Sequence, residues 1–137
     1  IGLTKVRVIE KLTLIKKTEN QISKMIQIYH NPRCRKSREG LEILKNSNQE
    51  FTIKDYLKDP PTIAELNELI KRLDISPIQL IRKGETVWKE NFKGKSLSDQ
   101  QIFEAMVKHP KLIERPIVVN GNKAVIGRPP TIIKEII

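Results

Sequence analysis

Cys34 is the single cysteine in 137 residues, and it sits in the run His30-Asn31-Pro32-Arg33-Cys34-Arg35-Lys36-Ser37-Arg38. Asn31-Pro32 closes a short apolar stretch, and the residues from Ser37 onward have helical character, so the sulfur is predicted to lie at a helix N-terminus. There, free backbone N–H groups and the positive end of the helix dipole favour the thiolate, and the cations of Arg33, Arg35, Lys36 and Arg38 should act in the same direction. A thiol with an ordinary pKa of about 8.5 falls to between ~3.5 and 7.5 in such surroundings, and the thiolate is the nucleophile. The same loop suits an oxyanion, because amides at a helix start and guanidinium groups both stabilise one. Ser37, three residues after Cys34, offers a hydroxyl to the thiolate, and His30, four before it, can support the loop by hydrogen bonding or charge. A bland reading stands beside this one: Cys34 as a small buried hydrophobe and the basic run as a solvated helix face.

The other residues with chemical potential are weaker when taken singly. His30 and His109 are far apart and, with one Cys, offer no metal-ligand spacing, so no metal site is expected. His109, next to Pro110, reads as a helix-end residue. Arg82, Arg115 and Arg128 each follow an apolar stretch, a pattern that surface charges also produce.

The elements that must position these groups alternate in type. Ile26 to Tyr29 has the period of a strand and is broken at Asn31-Pro32, a helix is predicted over Ser37 to Leu44, and Phe51 to Tyr56 alternates as a half-buried strand does. Strand, helix and strand over about thirty residues is the size of a βαβ unit. Thr62 is a plausible N-cap for a helix over Ile63 to Leu73, whose Leu66, Leu69, Ile70 and Leu73 recur at helical spacing. A short helix is predicted over Asp74 to Arg82, with Ser76 as cap and Pro77 at the first position, and another over Ser98 to Lys108, ended by Pro110. Pro116 to Val119 and Lys123 to Ile126 flank Asn120-Gly121-Asn122, the strongest hairpin signal in the chain. A last helix is predicted over Thr131 to Ile137. The order implies an α/β fold with a mixed sheet, and it agrees with a thioredoxin-like three-layer domain carrying a helical insert.

Composition bounds what such a domain can do. With 38% hydrophobic and 31% charged residues the chain reads as one globular domain, and a charge interrupts every apolar run before it reaches the roughly 18 to 20 residues of a membrane span. No secretory signal precedes the lone Cys34, so a reducing, cytoplasmic location is expected. The net charge of +10 invites an acidic partner. Residues 1–24, with six basic and two acidic groups, supply +4 of it and the rest of the chain +6. Aromatics are only 4% and do not interleave with the basic residues, so the stacking platforms of a single-strand binder are missing and the pattern argues against nucleic acid. Residues 1–24 read as a basic leader or extension, expected to be poorly ordered, with Met25 a candidate start for the organised domain over 25–137.

The run Tyr29 to Arg38 closely resembles the glutaredoxin-coupled arsenate reductase family. So do Asp55-Tyr56-Leu57-Lys58-Asp59-Pro60-Pro61-Thr62, Leu80-Ile81-Arg82-Lys83, His109-Pro110, Glu114 to Val119 and Gly127-Arg128-Pro129, in the family's order. The resemblance covers residues 25–137. It implies a thioredoxin-like fold in which Cys34 attacks arsenate while Arg82, Arg115 and Arg128 bind the oxyanion, with His30 and Ser37 supporting the thiolate. It implies a cis proline at Pro116, no bound cofactor, glutathione as co-substrate and glutaredoxin as partner. A monomer is expected. Guanidinium forks suit the assigned role, because they stay charged and pair with tetrahedral oxyanions through two parallel hydrogen bonds. A single cysteine fits external reductants, since the chain holds no resolving thiol. Arg35 departs from the family, where a small residue usually follows the cysteine; the larger cation could lower the thiol pKa or crowd the oxyanion. Three rivals remain: a glutathione-dependent thiol reductase of the same fold, a thiol-stress transcription regulator, which usually carries Cys-x-x-Cys where this chain has Ser37, and nucleic-acid binding through the basic surface.

Overall fold

The computed structural model describes residues 26–137. The expectations for residues 1–24 and for Met25 lie outside the described residues.

Four strands form one mixed sheet in the order β2-β1-β3-β4: β1 (Ile26–His30), β2 (Phe51–Asp55), β3 (Ile117–Asn120) and β4 (Lys123–Ile126). β1 runs parallel to β2, with Ile28 opposite Ile53, and antiparallel to β3, with Ile28 opposite Val118; β3 and β4 close the predicted hairpin. Alternation along the two central strands sorts their side chains between two cores. Ile26, Ile28 and Val118 pack with Leu44 of α1 (Arg35–Asn46) and with Ile133 of a 3-10 segment, Pro130–Glu135. Tyr29, Ile117 and Val119 face the other way, onto Leu66 and Leu69 of α2 (Ile63–Leu73) and Ile102, Phe103 and Met106 of α4 (Asp99–Lys108). The result is three layers, with each fully buried Leu or Ile contributing about 1.5–3 kcal/mol. Among the described residues, no helix is long and apolar enough to cross a membrane.

Local signals placed most elements. The Thr62 hydroxyl accepts the Glu65 N–H at the start of α2, and Ser98 and Gln101 cap each other's backbone at the start of α4. Two predicted helices are corrected to shorter, tighter turns. The segment expected over Asp74 to Arg82 is a 3-10 turn, Pro77–Leu80, because Asp74 already terminates α2 in the left-handed region and Ile81 leaves for a β-bridge to Ile113. The segment expected over Thr131 to Ile137 is the 3-10 segment already described, opened by two successive prolines that supply no N–H. A helix with no sequence expectation, α3 (Thr86–Asn91), buries Trp88 in the α2/α4 core.

Two glycines let these layers close around the site. A Cβ at Gly127 would sit 2.8 Å from Pro116 Cγ and 3.0 Å from Ile133 Cδ1, and one at Gly40 would meet the same two side chains at 3.0 and 2.9 Å. Gly127→Ala is therefore expected to destabilise the fold by about 1–3 kcal/mol, since the rigid proline ring cannot move aside. Urea unfolding of the variant against the parent measures it.

Candidate active site

The loop after β1 turns sharply into α1. The Asn31 carbonyl accepts the Cys34 N–H at 3.0 Å, the Asn31 Oδ1 accepts the Arg33 N–H at 3.0 Å, and the Cys34 carbonyl accepts the Arg38 N–H to begin the helix. Cys34 is thus the N-cap of α1, with extended backbone at φ −93° and ψ 123°. Its side chain forms no full capping hydrogen bond, yet the Ser37 amide faces it closely enough to favour the thiolate. Burial pushes the thiol pKa up, but the Ser37 amide, the Arg115 guanidinium and the charges of Arg115 and Arg128 outweigh it and hold the pKa below its ordinary value. Arg128 Nη2 lies 3.5 Å from Cys34 Sγ.

The Ser37 amide is the local part of the lowering, as expected at a helix start, whereas the cations that add to it come from distant sequence rather than from the neighbouring arginines and lysine. Arg35 stands 83% exposed and pairs with Glu39, as does Lys36, so these charges point to solvent and are screened there. Arg35 neither crowds the thiol nor faces it. Arg38 is exposed and donates to the Pro32 carbonyl.

Ser37 and His30 are brought together, and their contact differs from the one expected. The buried Ser37 hydroxyl accepts the Asn31 N–H at 2.9 Å and lies 2.6 Å from His30 Nδ1, so it locks the loop instead of bonding the sulfur. At the third helical position it is the amide, pointing along the axis toward the N-cap, that reaches the Cys34 side chain. Burial, reinforced by the nearby charges of Lys45 and Arg38, lowers the His30 pKa against the opposing pull of Asp55, which leaves the ring neutral at pH 7. Ser37→Ala strands the buried Asn31 N–H and His30 Nδ1 and is expected to cost about 1–3 kcal/mol of stability; a thermal melt reads it.

The three arginines arrive on separate segments. Arg82 is placed by the short pairing around Ile81 and Ile113, in which the Arg82 N–H donates to the Leu112 carbonyl at 2.7 Å and the Glu114 N–H to the Leu80 carbonyl at 2.9 Å. Arg115, buried, precedes a cis bond to Pro116, and its Nη1 donates to the Lys111 carbonyl. Arg128 precedes a second cis bond, to Pro129, and its Nε donates to the Arg115 carbonyl at 2.9 Å. Arg82 lies against Glu114 and Glu85, Arg128 against Glu114, and Arg115 against Glu85. The sequence reading missed both glutamates. Glu85 carried a signal, since Arg82 and Glu85 have i,i+3 spacing, and Glu114 adjoins Arg115.

It also missed Tyr56, which is fully buried just past β2. Its hydroxyl lies near the Asn31 side chain without hydrogen-bond geometry and has no partner; burial, outweighing the opposing charge of Arg115, pushes its pKa to about 12, so it keeps its proton. Arg115 Nε is likewise buried without a partner among the described residues. Among the described residues no group of three or more His, Cys, Asp or Glu could hold a metal ion. His109 caps the C-terminal end of α4 and packs edge-on against Phe92.

A half-buried thiol at a helix start, facing guanidinium groups from two later segments that each lead into a cis proline, can act as a nucleophile toward an anionic electrophile. Fold and site together define a thioredoxin-like α/β domain with a single-cysteine centre. The ArsC family profile matches residues 29–136. Over 112 residues the chain is 43% identical to the arsenate reductase of Haemophilus influenzae, which covers 80% of this chain and 97% of that protein. It is 47% identical over 118 residues to the uncharacterized protein YfgD of Escherichia coli, covering 85% and 99% of the two chains. Among solved structures, the arsenate reductase from Vibrio cholerae superposes with a TM-score of 0.79 at 43% identity, over 82% of this chain and 98% of that one. The chain belongs to the ArsC family.

Proposed function

We propose that this protein reduces arsenate to arsenite through the Cys34 thiolate, with glutathione and glutaredoxin as the source of electrons. The observation that carries the reading is the approach of Arg128 Nη2 to Cys34 Sγ at 3.5 Å with Arg115 on the same thiol, which supports a thiolate and an oxyanion in one place. The names of the relatives at 43% identity favour arsenate as that oxyanion.

The thiolate displaces one oxygen of As(V), which leaves as water after protonation, and an S–As bond forms. Glutathione thiolate then attacks Sγ; the S–As electron pair passes to arsenic, arsenite departs as As(III), and a Cys34–glutathione disulfide remains. Glutaredoxin removes the glutathionyl group and regenerates the thiolate. Arsenic gains two electrons and the two sulfurs lose them. Arg82, Arg115 and Arg128 bind and orient the oxyanion and the charge that develops on it. His30 and Ser37 support the thiolate indirectly, by fixing the Asn31–Cys34 loop, and Pro116 packs against Gly40 and Gly127. The protein acts as a cytoplasmic monomer with no bound cofactor.

Arsenate-dependent NADPH oxidation tests this with glutathione, glutaredoxin and glutathione reductase present. Turnover that requires both glutathione and glutaredoxin supports the reading. Turnover supported equally by thioredoxin and thioredoxin reductase, without glutathione, would assign the electrons elsewhere.

A further inference from the structure

The three arginines do not meet the thiol as free cations. Glu114 Oε1 lies 2.8 Å from Arg82 Nη1 and 3.1 Å from Arg128 Nε, and Glu85 Oε1 lies 3.3 Å from Arg82 Nε and 3.7 Å from Arg115 Nη1. The charges alternate along one chain of contacts, Arg128, Glu114, Arg82, Glu85, Arg115. With Cys34 as thiolate, three positive groups face three negative ones, so the centre is close to neutral. The side chains are between 11% and 33% exposed, partly withdrawn from solvent, where charges are screened less than on an open surface. The carboxylates take up only part of each guanidinium: Arg128 Nη2 lies beside Sγ, and Arg115 Nε is buried without a partner among the described residues.

A dianionic oxyanion beside Cys34 would compete with the two carboxylates for the same guanidinium charges. We propose that Glu85 and Glu114 are specificity-setting positioning residues: resident carboxylates that order the arginines and compete with an incoming tetrahedral oxyanion for them, so that binding releases at least one carboxylate from its arginine. This deepens the reading above and rests on it for the class of ligand. The glutamates weaken inorganic oxyanion binding at rest and make the strength of the site depend on how well a substrate displaces them.

Glu114→Gln and Glu85→Gln keep the side-chain shape and an acceptor oxygen while removing one charge each. Calorimetric titration with inorganic phosphate and with arsenate, each variant also carrying Cys34→Ser so that no chemistry follows, reads the equilibrium directly. Either variant is expected to bind both anions about three- to tenfold more tightly. With Cys34 intact, KM for arsenate should fall while kcat changes little, and the alkylation profile of Cys34 should move to lower pH. A purely structural role for the glutamates predicts the opposite sign, because loosened arginines bind less well. Affinity that is unchanged or weaker in both variants, or binding undetectable in parent and variants alike, overturns the proposal. If one variant fails to fold, the other carries the test. Tighter phosphate and arsenate binding in a protein that never turns over arsenate would retain this inference and overturn the reductase reading; turnover with anion affinity untouched by either variant would do the reverse.

Discussion

Cys34→Ser is expected to lower arsenate-dependent turnover by a factor on the order of 10⁴ or more, to the assay background, while stability at neutral pH changes by no more than about 1 kcal/mol. The first half follows from the chemistry. Cys34 is the sole cysteine of the chain, a serine hydroxyl is un-ionised at neutral pH, and no other side chain at the site can form the S–As bond or the mixed disulfide. The second half follows from placement: the residue is half-buried, its side chain makes no full capping bond to α1, and the exchange is nearly isosteric. The comparison also has a pH signature. Because the folded protein holds the thiol pKa below its unfolded value, the thiolate stabilises the fold fully above the unfolded value of about 8.5, and that contribution fades as pH falls through the folded pKa. The stability gap between parent and variant should therefore widen on going from acid to alkaline pH. Coupled turnover and urea unfolding at several pH values check both halves.

Arg115→Ala is the second large effect. It is expected to lower kcat/KM for arsenate by about 10²–10³ and to move the Cys34 thiol pKa upward. Arg115 contributes to the depressed thiol pKa both as a hydrogen-bonding group and as a charge, and its loss leaves burial, which pushes the thiol up, opposed mainly by the Ser37 amide and Arg128. It also releases the Lys111 carbonyl and leaves Glu85 with one arginine fewer. Arg115→Lys should recover part of the thiol pKa shift, which depends on charge, but little of the affinity, which depends on the planar fork. Iodoacetamide alkylation of Cys34 against pH separates the first quantity, and KM against kcat the second.

What the sequence made legible was chiefly local. The helix start at Cys34, the Thr62 cap and the Asn120-Gly121-Asn122 turn are set by residues within four positions of one another, and each element formed. The predicted βαβ start is present as β1, α1 and β2, and the residue-level resemblance led to a cis proline at Pro116, which the structure contains. Arg82, Arg115 and Arg128 were named from the resemblance, and the fold brings them into one cluster.

What stayed hidden depends on partners far away in the chain. Cations next to Cys34 looked like the charge behind its acidity, yet Arg35 and Lys36 turn toward Glu39 and solvent, while Arg128, 94 positions downstream, reaches the sulfur. Arg82 could not be placed by helical periodicity, because a bridge between Ile81 and Ile113 sets it beside Glu114. Glu85 and Glu114 drew no functional reading from the sequence, and the fold places them between arginines. The Ser37 hydroxyl was assigned to the wrong partner for a smaller reason: only the direction of the helix axis at Cys34 decides whether its amide or its side chain meets the sulfur.

In the proposed reaction Cys34 passes electrons to arsenate and ends as a disulfide with glutathione. Intact-protein mass spectrometry after a single turnover with arsenate and glutathione, and without glutaredoxin, tests it most directly. The expected product carries one glutathionyl group per chain, on Cys34, formed together with an equal amount of arsenite and removed when glutaredoxin is added. An unmodified Cys34, or the same adduct formed at the same rate when arsenate is left out, would contradict it.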